Sequence, residues 1–164
     1  MKALLLITAA LLTLTTSATS CSDDTPGQDT EQRPETDNDN VENDQQMTEK
    51  IIIRVNGREY QASLESNATA EAFAAMLPLT LDMSELNGNE KYHYLENSLP
   101  STGDYTGTIH AGDIMLYGSD CLVLFYETFS TSYSYTKIGH IDNPSGLAGT
   151  LGSGSISIEF STDR

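Results

Sequence analysis

The residue types of a nucleophilic catalytic triad occur close together in the C-terminal part of the chain. Ser130, Ser132 and Ser134 precede His140 and Asp142. A triad needs its serine on an exposed turn, with a histidine and a carboxylate oriented in series toward it. These residues instead fall within one predicted strand and its ends, and no nucleophile-elbow sequence surrounds a serine. We therefore predict no catalytic residue here.

Metal and cofactor chemistry have equally little support in the sequence. His110 and Asp113 are three residues apart and would need a distant third ligand to hold a divalent metal. The pair Gly112-Asp113 is more typical of the start of a strand. The chain also has no phosphate-binding glycine loop and no dinucleotide fingerprint. We expect neither a metal site nor a cofactor.

Aromatic side chains are the remaining candidates for a functional surface. The chain has eight Tyr, four Phe and no Trp. Alternation along strands buries some of them, and the others are suited to contacts with a peptide or protein, because a phenol is apolar with one polar end. We predict that such a surface forms at the mouth of a barrel, beside a loop at 129–133. The candidate ligand-binding residues are His110, Tyr117, Phe129, Tyr133 and Tyr135.

The clearest structural element is a hairpin over residues 51–64. Apolar and polar residues alternate on both sides of Asn56-Gly57, the dipeptide most favoured in a type I′ turn. A two-residue turn there places Arg54 opposite Glu59, which gives Arg54 a structural partner.

The rest of the folded part is also mainly β. A short helix is predicted to start near Asn67 or Thr69 and to end at Pro78, and a second helical turn is predicted at 147–151. The longest loop is expected at 96–108. About eight strands with two short helices indicate a closed β-barrel, which leaves no exposed sheet edge, and we expect a monomer. Beyond the hairpin, strands are predicted at 79–84, 91–95, 113–117, 121–127, 133–141 and 156–160.

Residues 1–20 have the plan of a secretory signal: one basic residue, an apolar run and a stretch of small residues. The apolar run is shorter than the ~20 residues that a membrane-spanning helix needs. Ala18-Thr19-Ser20-Cys21 resembles a bacterial lipobox, with Ala18 where Leu is more usual. We predict cleavage before Cys21 and its lipidation, which would anchor the protein in the bacterial cell envelope, at the outer membrane. Whether it faces the periplasm or the exterior stays open.

Residues 21–49 form a predicted acidic linker between this anchor and a domain at 50–164. The linker is rich in Asp and Glu and poor in large apolar residues, so it cannot offset the entropy of ordering and is expected to be disordered. The formal net charge of the chain is −16, which disfavours nucleic acid as a partner. With Cys21 acylated, Cys121 has no disulfide partner and is expected to be a small buried residue.

Several segments together resemble the bacterial cyclophilin-like fold proteins over roughly residues 50–160. They are the Asn56-Gly57 hairpin, the helix that ends at Leu77-Pro78, and the segments 109–118, 124–126 and 132–139. The resemblance implies a small cyclophilin-type barrel of about eight strands closed by two helices. It does not imply an activity, since members of this family share a fold without an established common function.

Peptidyl-prolyl cis/trans isomerisation is the alternative that the resemblance raises. True cyclophilins place an arginine in a Phe-x-Arg run beside a Gln-Gly-Gly-Asp-Phe-like strand, and this chain has neither motif. We therefore interpret the domain as a module that binds a peptide or protein in the envelope without transforming it.

Overall fold

The computed structural model describes residues 49–162. The predicted signal peptide, Cys21 and all of the predicted linker except Glu49 lie outside the described residues. Among the described residues, no helix is long and apolar enough to cross a bilayer. The elements are β1 (Lys50–Val55), β2 (Arg58–Leu64), α1 (Ala68–Ala74), β3 (Leu79–Leu86), β4 (Glu90–Tyr94), β5 (Tyr105–Ile109), β6 (Asp113–Tyr117), β7 (Cys121–Phe125), β8 (Phe129–Ile141), α2 (Leu147–Leu151) and β9 (Ile156–Thr162).

Eight of these nine strands form a closed antiparallel ring. The strands follow one another in the order β2, β1, β9, β3, β4, β7, β6, β8, and a further pairing of β8 with β2 closes the ring. Strand β5 is attached to β8 outside the ring. The predicted mainly-β fold with about eight strands and two short helices is confirmed.

The first hairpin shows how local sequence sets this register. Asn56 and Gly57 both have positive φ, 48° and 71°, as the two central residues of a type I′ turn require. Arg54 consequently lies opposite Glu59, and its Nε donates a 2.6 Å hydrogen bond to Glu59 Oε1. The predicted cross-strand pair is confirmed.

Helix α1 begins as predicted at a polar cap. The Asn67 side chain accepts a 2.9 Å hydrogen bond from the backbone N–H of Ala70, which satisfies one of the free donors at the helix start. The helix buries Phe73, whose ring meets that of Phe160 edge-on at 5.6 Å. This contact attaches α1 to the main core inside the ring.

Strands β6 and β7 are apolar on both faces because each face packs against a different cluster. One set of their side chains, including Leu116 and Leu124, lies in the main core. The alternate set, including Met115, Val123 and Phe125, lies in a second cluster outside the ring. The strand predicted at 121–127 is therefore present over residues 121–125, and both of its faces are buried.

The second cluster is covered by β5 and by the first residues of β8, at 129–132, neither of which the sequence predicted to be a strand. Residues 129–133 were expected to be a loop, and this was wrong, because β8 begins at Phe129. The end of the loop predicted at 96–108 was also wrong, since β5 starts at Tyr105 and pairs with β8. We call β5 and residues 129–134 of β8 the outer ribbon.

Ring contacts place the outer ribbon across the outer face of β6 and β7. The Phe129 ring lies 5.6 Å from that of Phe125, and the Tyr133 ring lies 6.1 Å from that of Tyr117. The ribbon therefore crosses the outer face and leaves a space beside it, over β4.

Candidate binding groove

A groove of about 510 Å³ lies between the outer ribbon and the neighbouring strands β4 and β7. Residues 129–133 of β8 line it consecutively, β4 contributes alternate residues, and β7 contributes Cys121 and Val123. Period-two alternation is the reason that β4 contributes every second residue. The complete lining is Leu86, Asn87, Asn89, Glu90, Tyr92, Tyr94, Tyr117, Cys121, Val123, Phe129, Ser130, Thr131, Ser132, Tyr133 and Tyr135.

Four of the five ligand-binding candidates from the sequence lie together in this groove. Tyr117 is at the centre of a contact series, since its ring centroid is 6.1 Å from that of Tyr133 and 5.5 Å from that of Tyr135. Tyr135 in turn meets Phe125 edge-on at 5.5 Å. Such edge-on and tilted arrangements are the favoured geometries of aromatic pairs, so the series forms a well-ordered wall.

The exposed large hydrophobic side chains of the described residues also lie in the groove. Within residues 49–162, the large hydrophobic side chains that are exposed are Leu86, Tyr94, Tyr117 and Tyr133, at 42%, 62%, 44% and 64%. All of them line the groove. An isolated exposed aromatic needs no explanation, but a contiguous set in a concavity is typical of an interaction site.

Glu90 is a buried carboxyl in the same groove and is not among the residues that the sequence predicted for it. Its cross-strand neighbours are Leu86 on β3 and Phe125 on β7, and only 8% of the residue is exposed. Burial, with the nearby charge of Glu85, raises its pKa to about 7. The alternation Glu90-Tyr92-Tyr94 was the signal available in the sequence, because it puts Glu90 on the aromatic face of β4.

The Cys121 thiol faces the groove but is not activated. The residue is buried and 5% exposed, and burial raises the pKa of its thiol to about 11. At neutral pH the thiol is protonated, and a thiolate is the reactive form. Cys121 thus has the apolar environment that the sequence predicted.

The family assignment agrees with this fold. The model of the cyclophilin-like family matches residues 53–161, from β1 through β9. The chain belongs to the cyclophilin-like family. Among solved structures, this cyclophilin-like domain is similar to a hypothetical protein from Archaeoglobus fulgidus, with 20% sequence identity, a TM-score of 0.49, and coverage of 71% of this chain and 95% of the archaeal chain. No curated protein matches the chain.

His110, the fifth candidate, lies outside the groove in the turn before β6 of the cyclophilin-like domain. Its backbone N–H donates a 2.8 Å hydrogen bond to Asp113. The buried Asp113 carboxylate also lies 3.0 Å from His140 Nδ1 and 3.4 Å from Lys137 Nζ. In the described part of the chain, no three His, Cys, Asp or Glu side chains are grouped to hold a metal. The Asp113 contacts tie the start of β6 to β8.

The serine, histidine and aspartate residues considered above as a catalytic triad lie apart in the cyclophilin-like domain. Ser130 and Ser132 line the groove, whereas the His140 ring is next to Asp113. Asp142 accepts hydrogen bonds from Lys50 at 2.7 Å and from Ser63 at 2.5 Å.

Neither arginine within residues 49–162 lines the groove. Arg54 is held by Glu59 and, at 3.2 Å, by Glu159. Arg58 is exposed and lines a different surface concavity, together with Asn143.

Proposed function

We propose that this chain is a lipid-anchored envelope protein whose cyclophilin-like domain binds an extended peptide or protein segment in the groove and performs no reaction on it. The observation that carries the proposal is that the exposed large hydrophobic side chains of the described residues all line one groove. Groove binding of this kind buries aromatic surface without requiring an aligned acid, base or nucleophile.

A free strand edge beside the aromatic wall supports an extended ligand. Tyr135 pairs with Tyr105 and also with Tyr117, so β5 and β6 lie on opposite edges of β8. Residues 135–140 pair with β6, but along 129–134 no strand among residues 49–162 occupies that edge. Residues 129–133 of this free edge also line the groove. An added strand can hydrogen-bond to such an edge while its alternate side chains contact the groove floor.

The absence of a second reactive group near Glu90 supports binding over catalysis. Within the described residues, the groove serines have no histidine beside them, and Cys121 is held in its neutral form. General acid–base catalysis needs a reacting partner within hydrogen-bond reach of the catalytic group. We therefore assign the groove a recognition role.

Tyr133→Ala is expected to weaken peptide binding by about tenfold or more, because truncating a central aromatic contact residue removes a large share of binding energy. The probe is a set of nonapeptides selected from a random library on the full-length chain in detergent, with affinities measured by fluorescence anisotropy. Arg58→Ala is the control, because Arg58 is exposed and does not line the groove.

Failure to select any peptide, or equal affinities for the native chain and Tyr133→Ala, would contradict the proposal. N-methylation of the peptide at alternate residues tests the strand edge, since it removes donors that the edge would use. A protease-coupled prolyl isomerase assay separates binding from catalysis: activity that disappears in Arg58→Ala would overturn the binding assignment.

The lipid anchor is tested separately at Cys21. Replacing Cys21 by Ser is expected to move the protein from the detergent phase to the aqueous phase on phase partitioning, because the acylated residue would be lost. Persistence of the variant in the detergent phase would refute the lipidation of Cys21. Protease treatment of intact and lysed cells then distinguishes periplasmic from surface display.

A further inference from the structure

The Glu90 carboxyl has no hydrogen-bond donor within the described part of the chain. Neighbouring polar groups are directed elsewhere: the Lys91 ammonium donates to Glu85, Gly152 and Gly154, and Tyr126 Oη donates to Glu85 at 2.6 Å. A buried carboxyl without a donor is costly, since burial removes the water that would otherwise solvate its charge.

A second acceptor without a donor adjoins it. Asn89 Oδ1 is fully buried and has no hydrogen-bond partner among residues 49–162. Asn89 lines the same groove as Glu90. The main chain around it is fixed, because its N–H donates to the Leu86 carbonyl at 3.3 Å and its carbonyl accepts from the Tyr126 N–H at 3.0 Å. The groove lining therefore contains two acceptors for which the described residues supply no donor, and Glu90 is the one that lies open to a ligand.

The walls of the groove are suited to a cation. Tyr92 and Tyr94 follow Glu90 on the same face of β4, with their rings edge-on at 5.9 Å. The negative face of an aromatic ring attracts an ammonium or guanidinium group. The net charge of −16 adds a long-range attraction for a basic ligand.

We propose that the groove recognises a lysine or arginine side chain of the bound segment, with the cationic group donating to Glu90 and its methylenes packing against the tyrosines. This rests on the proposed function and specifies the ligand as a basic peptide. A cation supplies the two things that the site lacks, hydrogen-bond donors and a positive charge.

The charged and titratable groups around Glu90 give this site a pH dependence. Strand β3 contributes Glu85, β4 contributes Lys91 and Tyr92, and β8 contributes Tyr135. Cys121 lies on β7, and Tyr126 directly follows that strand. Lys91 is already paired with Glu85, and the pKa values of Cys121 and Tyr135 are raised to about 11 and about 12, so both are neutral at pH 7. Glu90, with a pKa of about 7, is therefore the groove group that changes charge near neutrality.

The test uses the peptides selected on the full-length chain, remade with norleucine in place of each lysine or arginine. We expect the selected peptides to contain a basic residue, and the norleucine replacement to weaken binding by about tenfold or more at pH 8. The basic peptides should bind less tightly as the pH falls from 8 to 6, whereas the norleucine peptides should show no such change. Calorimetry in two buffers of different ionisation enthalpy should detect proton release only for the basic peptides.

Glu90→Gln and Glu71→Gln make a matched pair, because both remove one negative charge and Glu71 lies on the exposed surface of α1, away from the groove. Glu90→Gln should abolish the preference for the basic peptide over norleucine, and Glu71→Gln should retain it. If both variants retain the preference, it comes from net charge and the inference is overturned.

The remaining outcomes distinguish this inference from the proposed function. Selected peptides without a basic residue, or equal binding after norleucine replacement, would overturn the cation site and leave the peptide-binding groove. Failure to select any peptide would overturn both. Self-association that Tyr133→Ala abolishes would identify a second copy of the chain as the occupant and would also overturn the inference.

Discussion

Glu90→Gln is expected to be more stable than the native protein by about 3 kcal/mol at pH 8. The pKa of Glu90 is raised to about 7 from an ordinary value of 4.5, and each pKa unit corresponds to about 1.4 kcal/mol. Ionisation of Glu90 therefore opposes folding. Glutamine has a similar shape and carries no charge, so it removes this cost.

The sign of the effect follows from proton binding. Between pH 4.5 and 7 the folded state binds more protons at Glu90 than the unfolded state does, so the native protein loses stability as the pH rises through this window. The variant should match the native protein near pH 4 and exceed it increasingly up to about pH 8. Urea unfolding across this range measures the difference.

Glu71→Gln is the control for this measurement, because an exposed helix residue should change the free energy of unfolding little at any pH. Native stability that does not decline between pH 4.5 and 7 relative to Glu90→Gln would show that Glu90 ionises freely. It would also weaken the cation site, which depends on the same desolvated carboxyl. A residue that lowers stability is commonly retained in a binding site when binding requires it.

Lys91→Met is expected to destabilise the domain by about 3–5 kcal/mol. The lysine is fully buried and its ammonium donates to Glu85 and to the carbonyls of Gly152 and Gly154 at 2.8 and 2.6 Å. Methionine would fill the space but leave these acceptors without their donor, and removing one partner of a buried ion pair has a cost of this size. Urea unfolding at pH 7 would measure the loss.

Lys50→Met is the matched control for the lysine substitution. Lys50 also forms an ion pair, 2.7 Å from Asp142, but both side chains are partly exposed, and exposed pairs contribute about 1 kcal/mol or less. Comparable losses in the two variants would mean that the Lys91 contacts have no special importance. A loss confined to Lys91→Met would show that this lysine fastens the segment after α2 to β4.

The sequence by itself determined the elements whose signals are local. Asn56-Gly57 favours one turn type whatever surrounds it, and that turn fixed the register of the first hairpin. Asn67 caps α1 through a hydrogen bond three residues along the chain. The apolar run within 121–127 predicted a strand, and the structure has one at 121–125, because a continuous apolar run favours burial whichever segments pack against it.

The aromatic residues of the groove could also be predicted from the sequence, although the shape of the groove could not. Aromatic residues that a core does not require are suited to contact surfaces, which predicts a ligand-binding role for some of them. Four of the predicted residues line one concavity: Tyr117, Phe129, Tyr133 and Tyr135. His110, predicted at the same barrel mouth, lies instead in the turn before β6, where its backbone N–H donates to Asp113.

Only the tertiary structure decided the outer ribbon and the environment of Glu90. Residues 129–134 are mostly Ser, Thr and Tyr, with no strong strand pattern. They become a strand because β5 supplies a hydrogen-bonding partner from twenty or more residues earlier in the chain. Glu90 follows a turn and has the sequence context of an exposed residue. It is buried because Leu86 and Phe125 flank it on the adjacent strands. Desolvation depends on all the atoms that displace water from a group, and distant segments supply those atoms only once the chain has folded.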